Sequence, residues 1–294
     1  MSARYRAYIY ILIAIILWGI AGPVIKYTLG YFDTITFLTI RFGLTSLILV
    51  PFWIWTERHK KHLFPDLTYK DWTVLIVYGV TATTIELGLL FLGFAHTSAI
   101  EATLIFSTAP ILIALAGFYF LKEHITKKER VGMFVAFAGT IIVVFGPISG
   151  NIVGNLFVML ANLAKIVEVV LMKKLLRHNL SPLFLTMFSF FVGFLSITPI
   201  YFFTNHYSLL PIAYSLGSWF GLAYMVLFSG IIAYWLFLKG QKTIEVSEAN
   251  MFTYLQPLIT TPLAFFWLGE SLTWNFLIGG AVVALGVGLA MRRS

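Results

Sequence analysis

Apolar residues run along this chain in blocks of about 20, separated by short polar turns. Ten blocks are legible, at about 8–28, 35–55, 72–93, 99–121, 130–147, 152–172, 182–203, 216–238, 249–268 and 275–291. A helix needs roughly 20 apolar residues to cross about 30 Å of hydrocarbon, so each block predicts one transmembrane helix. No block alternates apolar and polar positions with period two, which excludes a β-barrel. The longest polar stretch, 56–71, is too short for a soluble domain. The first block is too long for the apolar core of a cleaved signal peptide and is expected to stay as helix 1. Composition agrees, with 60% hydrophobic and 11% charged residues, where a soluble domain carries about 25% charged.

The blocks are two copies of one pattern. Glu101-Ala102 returns as Glu248-Ala249, Pro110 as Pro257, Trp72 as Trp219 and Gly139 as Gly286, all at one offset. A ten-residue frame, E-x-[IL]-T-x5-G, reads Glu123, Ile125, Thr126, Gly132 and then Glu270, Leu272, Thr273, Gly279. The expected units are residues 1–147 and 148–294, five helices each.

Charge sets the orientation. The net charge is +8, yet the cations are not spread as a nucleic-acid surface would need. Arg4 and Arg6, the loops with Arg58, Lys60, Lys61 and Lys70, with Lys122, Lys127, Lys128 and Arg130, with Lys173, Lys174 and Arg177, and with Lys239 and Lys242, then Arg292 and Arg293, hold 17 of the 20 Lys and Arg. The alternate loops hold none. The positive-inside rule then places both termini in the cytoplasm of a cell (inner or plasma) membrane. Five helices per unit is odd, so the second unit enters from the opposite side and the repeats are inverted. No nucleic-acid partner is expected; the partners are the lipid bilayer and a small-molecule substrate.

Trp18-Gly19 and Lys26 in helix 1, Arg41 in helix 2, the Pro110 and Pro257 helices and the two E-x-[IL]-T-x5-G frames, in a 5+5 inverted arrangement, resemble the EamA-type branch of the drug/metabolite transporter superfamily over essentially the whole chain. The resemblance implies an all-α integral membrane fold of ten helices and a secondary transporter, most often an exporter of amino acids or similar small metabolites. It also implies a central cavity lined mainly by helices 1, 3, 4, 6, 8 and 9. The second half departs near its start, where Trp18 falls opposite Lys165 and Gly22-Pro23 has no counterpart.

Ionisable side chains at mid-membrane cost about 2.5–3.5 kcal/mol each on insertion scales. Three are expected there: Glu86 in helix 3, and Lys165 and Glu168 in helix 6, the last two on one face at i,i+3 spacing. One reading is a polar cavity patch, with Lys165 meeting a carboxylate and Glu86 or Glu168 an ammonium group. The other is an internal Lys165–Glu168 pair that neutralises itself. Asn162, one turn earlier, extends the same face. Burial disfavours the charged form of a lone carboxylate, so Glu86 would suit proton coupling; a neutral, hydrogen-bonded Glu86 or a pair with Lys165 are the alternatives. Trp18, Tyr234, Asn250, Tyr254 and Gln256 would complete an aromatic, polar-tipped lining.

The remaining polar and special residues read as structural or mechanical. Lys26 and Arg41, placed near the external ends of helices 1 and 2, would snorkel to the interface, pair with Asp33 or rim the outer mouth. Glu101, after Ser98, and Glu248 open helices 4 and 9 as capping acids. Thr126 with Glu129 would cap helix 5. Glu123 and Glu270 would tie adjoining helix ends together, with Thr273 in the second frame. Pro110 and Pro257 sit inside their helices, where each removes one hydrogen bond; they would gate, or bend statically. Gly22 and Pro23 would loosen helix 1. Gly132, Gly139, Gly279, Gly280 and Gly286 allow close helix approach, either inside the molecule or at a homodimer seam.

No H-E-x-x-H, G-x-S-x-G or phosphate loop occurs, there is no Cys, and the six His lack metal-ligand spacing, so neither an enzyme nor a cofactor or metal is expected. The functional readings are a secondary active or facilitative alternating-access exporter and, alternatively, a non-transporting scaffold or sensor, or an exporter of drugs, nucleobases or sugars.

Overall fold

The computed structural model describes residues 2–58, 67–122, 127–145, 151–178, 180–204 and 216–291 (backbone alone at 129, 133, 140, 143–145, 287, 290 and 291). Glu123, Thr126, the Glu129 side chain, Lys60, Lys61, Arg292 and Arg293 lie outside what it describes.

Ten helical rods follow one another among the described residues, and no strand. They are α1 (Ala3–Thr28), α2 (Thr34–Glu57), α3 (Tyr69–His96), α4 (Ala99–Leu121), α5 (Lys127–Phe145), α6 (Ile152–Arg177), α7 (Pro182–Thr204), α8 (Leu216–Gln241), α9 (246–268) and α10 (Trp274–Met291). Seven of them, α1–α4 and α6–α8, are long and apolar enough throughout to cross a membrane. Large apolar side chains such as Leu47, Phe203, Phe220 and Phe266 stand on the outside of the bundle, which in water would be a liability and in lipid is the solvated face.

Start signals written in the sequence fix the helix ends. Ser2, Asp33, Thr68, Ser98 and Asn151 each accept a backbone N–H of the first turn of α1, α2, α3, α4 and α6, and Thr273 does so for α10; each satisfies one donor that the helix itself leaves unpaired. Lys122 after α4 and Gly269 after α9 close their rods in the left-handed conformation, φ 59° and 67°.

The helices pair as an inverted repeat requires. α1 lies along α8 as α6 lies along α3, α2 packs on α7, and α5 packs on α10. Close approaches obey the same offset of 147. A Cβ on Gly93 of α3 would stand 3.1 Å from Gly154 O of α6, and one on Gly240 of α8 would stand 3.0 Å from Ala7 O of α1. In the α5–α10 seam, Gly139 faces Gly279 O and Val283, while Gly286 faces Gly132 O and Ala136. Those glycines therefore serve an internal seam, the first of the two alternatives the sequence leaves open.

Two rods are broken rather than kinked. α4 divides at Ser107–Thr108 and α9 passes through a 3-10 turn at Phe252–Leu255, so Pro110 and Pro257 fall in the first turn of the second half-helix. Proline is pre-shaped for that position and has no amide to waste there. The expectation that both prolines sit inside continuous helices is corrected accordingly. α1, by contrast, runs unbroken through Pro23. The missing proline amide frees Gly19 O, and the Thr260 hydroxyl of α9 donates to it at 2.7 Å. Gly22 sits against Thr103 and Thr260, where α1 packs closely on α4 and α9.

Several cations are also re-placed. Lys70, Lys127, Lys128, Arg130, Lys173, Lys174, Arg177 and Lys239 belong to helices and not to loops. Arg41 is fully buried two turns into α2, and Asp33 spends its carboxylate on the Thr36 amide, so neither snorkelling nor an Arg41–Asp33 pair occurs.

Candidate functional site

Matching π-helical segments lie partway along α3 and α8, Val80–Ile85 and Met225–Ala233. In α3 the Thr83 hydroxyl donates to Gly79 O at 2.7 Å, competing for the carbonyl that an α-helical amide would take, and the Glu86 amide reaches back five residues to Thr81 O. Such turns recur at functional sites because they re-aim the side chains that follow. Here Glu86 follows one segment and Tyr234 the other, and both face the centre.

A small cavity of about 60 Å³ lies there between the repeats. Its wall includes Trp18 and Gly22 from α1, Arg41 from α2, Glu86 and Phe91 from α3, Thr103 and Phe106 from α4, Lys165 from α6, Ser229 and Tyr234 from α8, and Thr253 and Gln256 from α9. That volume holds a few water molecules. The offset that relates the repeats sets Trp18 opposite Lys165, so one wall is aromatic and the other charged. Trp18 packs edge-on to Tyr234, with centroids 5.1 Å apart, and donates its indole N–H to Ser229 O at 3.1 Å.

Lys165 is bound on two sides. Its Nζ is 3.1 Å from Glu86 Oε1 and 3.6 Å from Glu168 Oε2, with all three side chains buried. Its ammonium also stands 5.6 Å from the Phe106 ring centroid. Two readings that the sequence kept apart, an i,i+3 pair with Glu168 and a cross-helix pair with Glu86, occur together. Glu86 Oε2 has no hydrogen-bond partner among the described residues.

Arg41 is the fourth charge. Its Nε donates to Met225 O at 3.2 Å and its Nη2 to Ser229 Oγ at a long 3.5 Å, both on the π segment of α8. The guanidinium lies 5.0 Å from the Phe91 centroid and 5.9 Å from that of Phe190. Among the described residues Nη1 has no partner, and no carboxylate forms an ion pair with Arg41.

Of the residues expected to line the cavity, Trp18, Glu86, Lys165, Tyr234 and Gln256 do. Asn162, Glu168, Asn250 and Tyr254 do not. Asn162 donates its amide to Ile105 O at 2.8 Å and to Thr108 Oγ1 at 3.4 Å, across the break in α4. Glu168 covers Lys165 one turn further along α6. Asn250 donates back to Val246 O at 2.8 Å. Tyr254 turns into a larger, mostly apolar groove of about 1040 Å³ beside α9 and α10. Arg41, Thr103, Ser229 and Thr253 complete the polar lining, and sequence reasoning missed them there. Arg41 had a signal: a cation that interrupts an apolar block.

Two of the structural acids, Glu270 and Glu248, bind helix starts of the other repeat, and Glu101 bonds within its own. Glu270, from the turn between α9 and α10, accepts the Ala99 and Ile100 amides at 2.7 and 3.0 Å. Glu101 accepts the Thr97 hydroxyl at 2.8 Å. Glu248 pairs with Arg4 at 2.6 Å and accepts the Tyr8 hydroxyl.

A model described as "EamA-like transporter family" matches residues 5–145 and again 152–292. The chain is 29% identical over 292 residues to the uncharacterized transporter YyaM of Bacillus subtilis (strain 168), covering 95% of this chain and 92% of that one. It is 26% identical to an uncharacterized transporter of Archaeoglobus fulgidus over 98% of this chain and 99% of the other. A crystal structure of a protein at 16% identity superposes with a TM-score of 0.69, covering 97% of this chain and 96% of its own; at that identity it speaks to the fold alone.

Proposed function

This chain belongs to the EamA-like transporter family, and on that premise we propose that it exports small metabolites, amino acids first among them, by alternating access. The observation that carries the reading is the mid-membrane cavity, whose wall is shared between the repeats and holds Arg41, Glu86 and Lys165. Inverted repeats exchange conformations by rocking about such a site. The broken helices α4 and α9 border it, and Asn162 and Thr260 supply hydrogen bonds beside the breaks and at Pro23. Breaks satisfied in this way bend at little cost in a bilayer.

The formal charges of Arg41, Lys165, Glu86 and Glu168 sum to zero, so a zwitterion enters without unbalancing the cluster. Trp18, Phe91, Phe106 and Tyr234 offer aromatic contact to the remainder of such a solute. The end of the bundle with Arg4, Lys174, Arg177 and Lys242 faces the cytoplasm in this reading, with the chain in the plasma membrane.

Counterflow in proteoliposomes tests it. Liposomes preloaded with an unlabelled amino acid should accumulate the labelled one transiently and saturably. Uptake that never saturates would indicate a pore, and no uptake of any amino acid by folded protein would remove the amino-acid assignment.

A further inference from the structure

We infer that Arg41, and not Lys165, is the group that receives an anionic end of the transported solute, and that the end it takes is a carboxylate. The inference rests on the reading of the cavity as a solute site. From sequence, Lys165 would meet the carboxylate. In the structure its ammonium already faces two carboxylates, Glu86 at 3.1 Å and Glu168 at 3.6 Å. A solute would have to displace one and leave a buried acid without its cation, a costly exchange in a low-dielectric interior.

Arg41 makes no direct ion pair among the described residues, although Glu86 acts on it through space. Two of its three nitrogens donate to α8, one of them weakly, and both acceptors are neutral. Among the described residues Nη1 has no partner, although Arg41 is buried and on the cavity wall. The Phe91 and Phe190 rings and the Met225 carbonyl fix the guanidinium plane. A planar fork held in place, with the Nη1 amino group unpaired and Nη2 on a 3.5 Å bond, matches the two oxygens of a carboxylate. Arginine stays protonated in proteins, so this receptor is present in every protonation state of the cluster.

The other orphan atoms on the wall complete the site. Glu86 Oε2 and Thr103 Oγ1 have no hydrogen-bond partner among the described residues, and both residues line the same cavity as Arg41. An α-ammonium group has a carboxylate and a hydroxyl to meet there while the α-carboxylate meets Arg41. A cavity of about 60 Å³ admits a carboxylate as small as formate or acetate, and a larger solute requires the repeats to part.

Thermal unfolding of the purified full chain in detergent tests the assignment without depending on transport. Sodium formate, sodium acetate and L-leucine are titrated against formamide, acetamide and L-leucinamide at matched ionic strength, on wild type, R41K, R41Q and the distant control K242Q. The expected result is saturable stabilisation by the acids and none by the amides. Half-saturation should move at least about tenfold in R41K, because a point charge replaces the fork. The response should vanish in R41Q and stay unchanged in K242Q. If R41Q does not fold, R41K and the acid–amide contrast in wild type carry the test. Equal stabilisation by acid and amide, no response of wild type to any acid, or an unchanged half-saturation in R41K would each overturn the inference. Counterflow separates the two claims: amino-acid exchange that survives in R41Q removes Arg41 and keeps the carrier. Acid binding through Arg41 without amino-acid exchange keeps Arg41 and removes the amino-acid assignment.

Discussion

Lys26 and Lys173 stand 147 positions apart and make the same pair of hydrogen bonds at opposite ends of the bundle. Lys26 Nζ donates to Phe94 O and Thr97 O, closing the end of α3, at 2.9 and 2.6 Å. Lys173 Nζ donates to Gln241 O and Ile244 O, closing the end of α8, at 2.7 and 2.6 Å. The acceptors obey the same offset as the donors. A cation at these carbonyls satisfies groups that the helix leaves unpaired and opposes its dipole.

Replacing either lysine by methionine should destabilise the protein, by about 2 kcal/mol at Lys173 if charged-donor hydrogen bonds carry their usual weight. Lys173 is buried and Lys26 half-buried, so K173M should cost more than K26M. The midpoint of thermal unfolding in detergent reads this directly. A K173M protein as stable as wild type would show the bonds to be incidental.

The two rod ends after α4 and α9 differ in one telling respect. Lys122 and Gly269 occupy equivalent positions with φ near +60°, a region where a side chain with a Cβ is strained by roughly 1 kcal/mol or more. K122G should therefore stabilise by about 1 kcal/mol, and G269A should destabilise by a similar amount. Matched unfolding curves of the two variants check the sign; two shifts in one direction would count against the geometry.

The α5–α10 seam predicts sharp position dependence. A methyl on Gly286 would stand 2.6 Å from Gly132 O, whereas one on Gly288 meets nothing within 4 Å. G286A should cost about 1–3 kcal/mol through overpacking, against a small gain in helix propensity of about 1 kcal/mol for G288A. Equal unfolding midpoints for both variants would show that the seam is looser than described.

The Glu86–Lys165–Glu168 cluster predicts strong non-additivity. E86Q or E168Q alone leaves Lys165 one partner and should be tolerated. E86Q/E168Q leaves a buried lysine without a counter-charge, and its cost should exceed the sum of the singles by roughly 1–3 kcal/mol. Additive shifts in the unfolding midpoints would mean that the three groups act independently.

The ten rods and their inverted order were readable from apolar block length and the internal repeat, because in a bilayer nearly every span must be apolar and helical. The helix starts were readable at Ser98 and in part at Thr273, because capping uses residues local in sequence. The centre was half readable. Glu86 and Lys165 show themselves as charges inside apolar blocks, but their pairing joins α3 to α6 across 79 positions. Arg41 was misplaced because its burial comes from the π segment of α8, far away in sequence. Lys173 was counted among loop cations since composition alone does not separate the last helical turn from the turn after it. The repeat offset, applied to Lys26, would have placed it. Asn162 lies on the expected face, yet the break in α4 that consumes its amide is a tertiary feature.

Alternating access is the central claim, and a reversible lock tests it most directly. The rings of Tyr27 of α1 and Trp267 of α9 meet at a 30° tilt at one end of the bundle, with centroids 5.2 Å apart. The native chain has no cysteine, so Y27C/W267C joined by a short reducible bifunctional thiol reagent ties those helices together without background reaction. Counterflow should stop on cross-linking and return on reduction, with each single-cysteine protein unaffected. Undiminished exchange through the cross-linked protein would contradict movement of α1 against α9 as the step that opens this face.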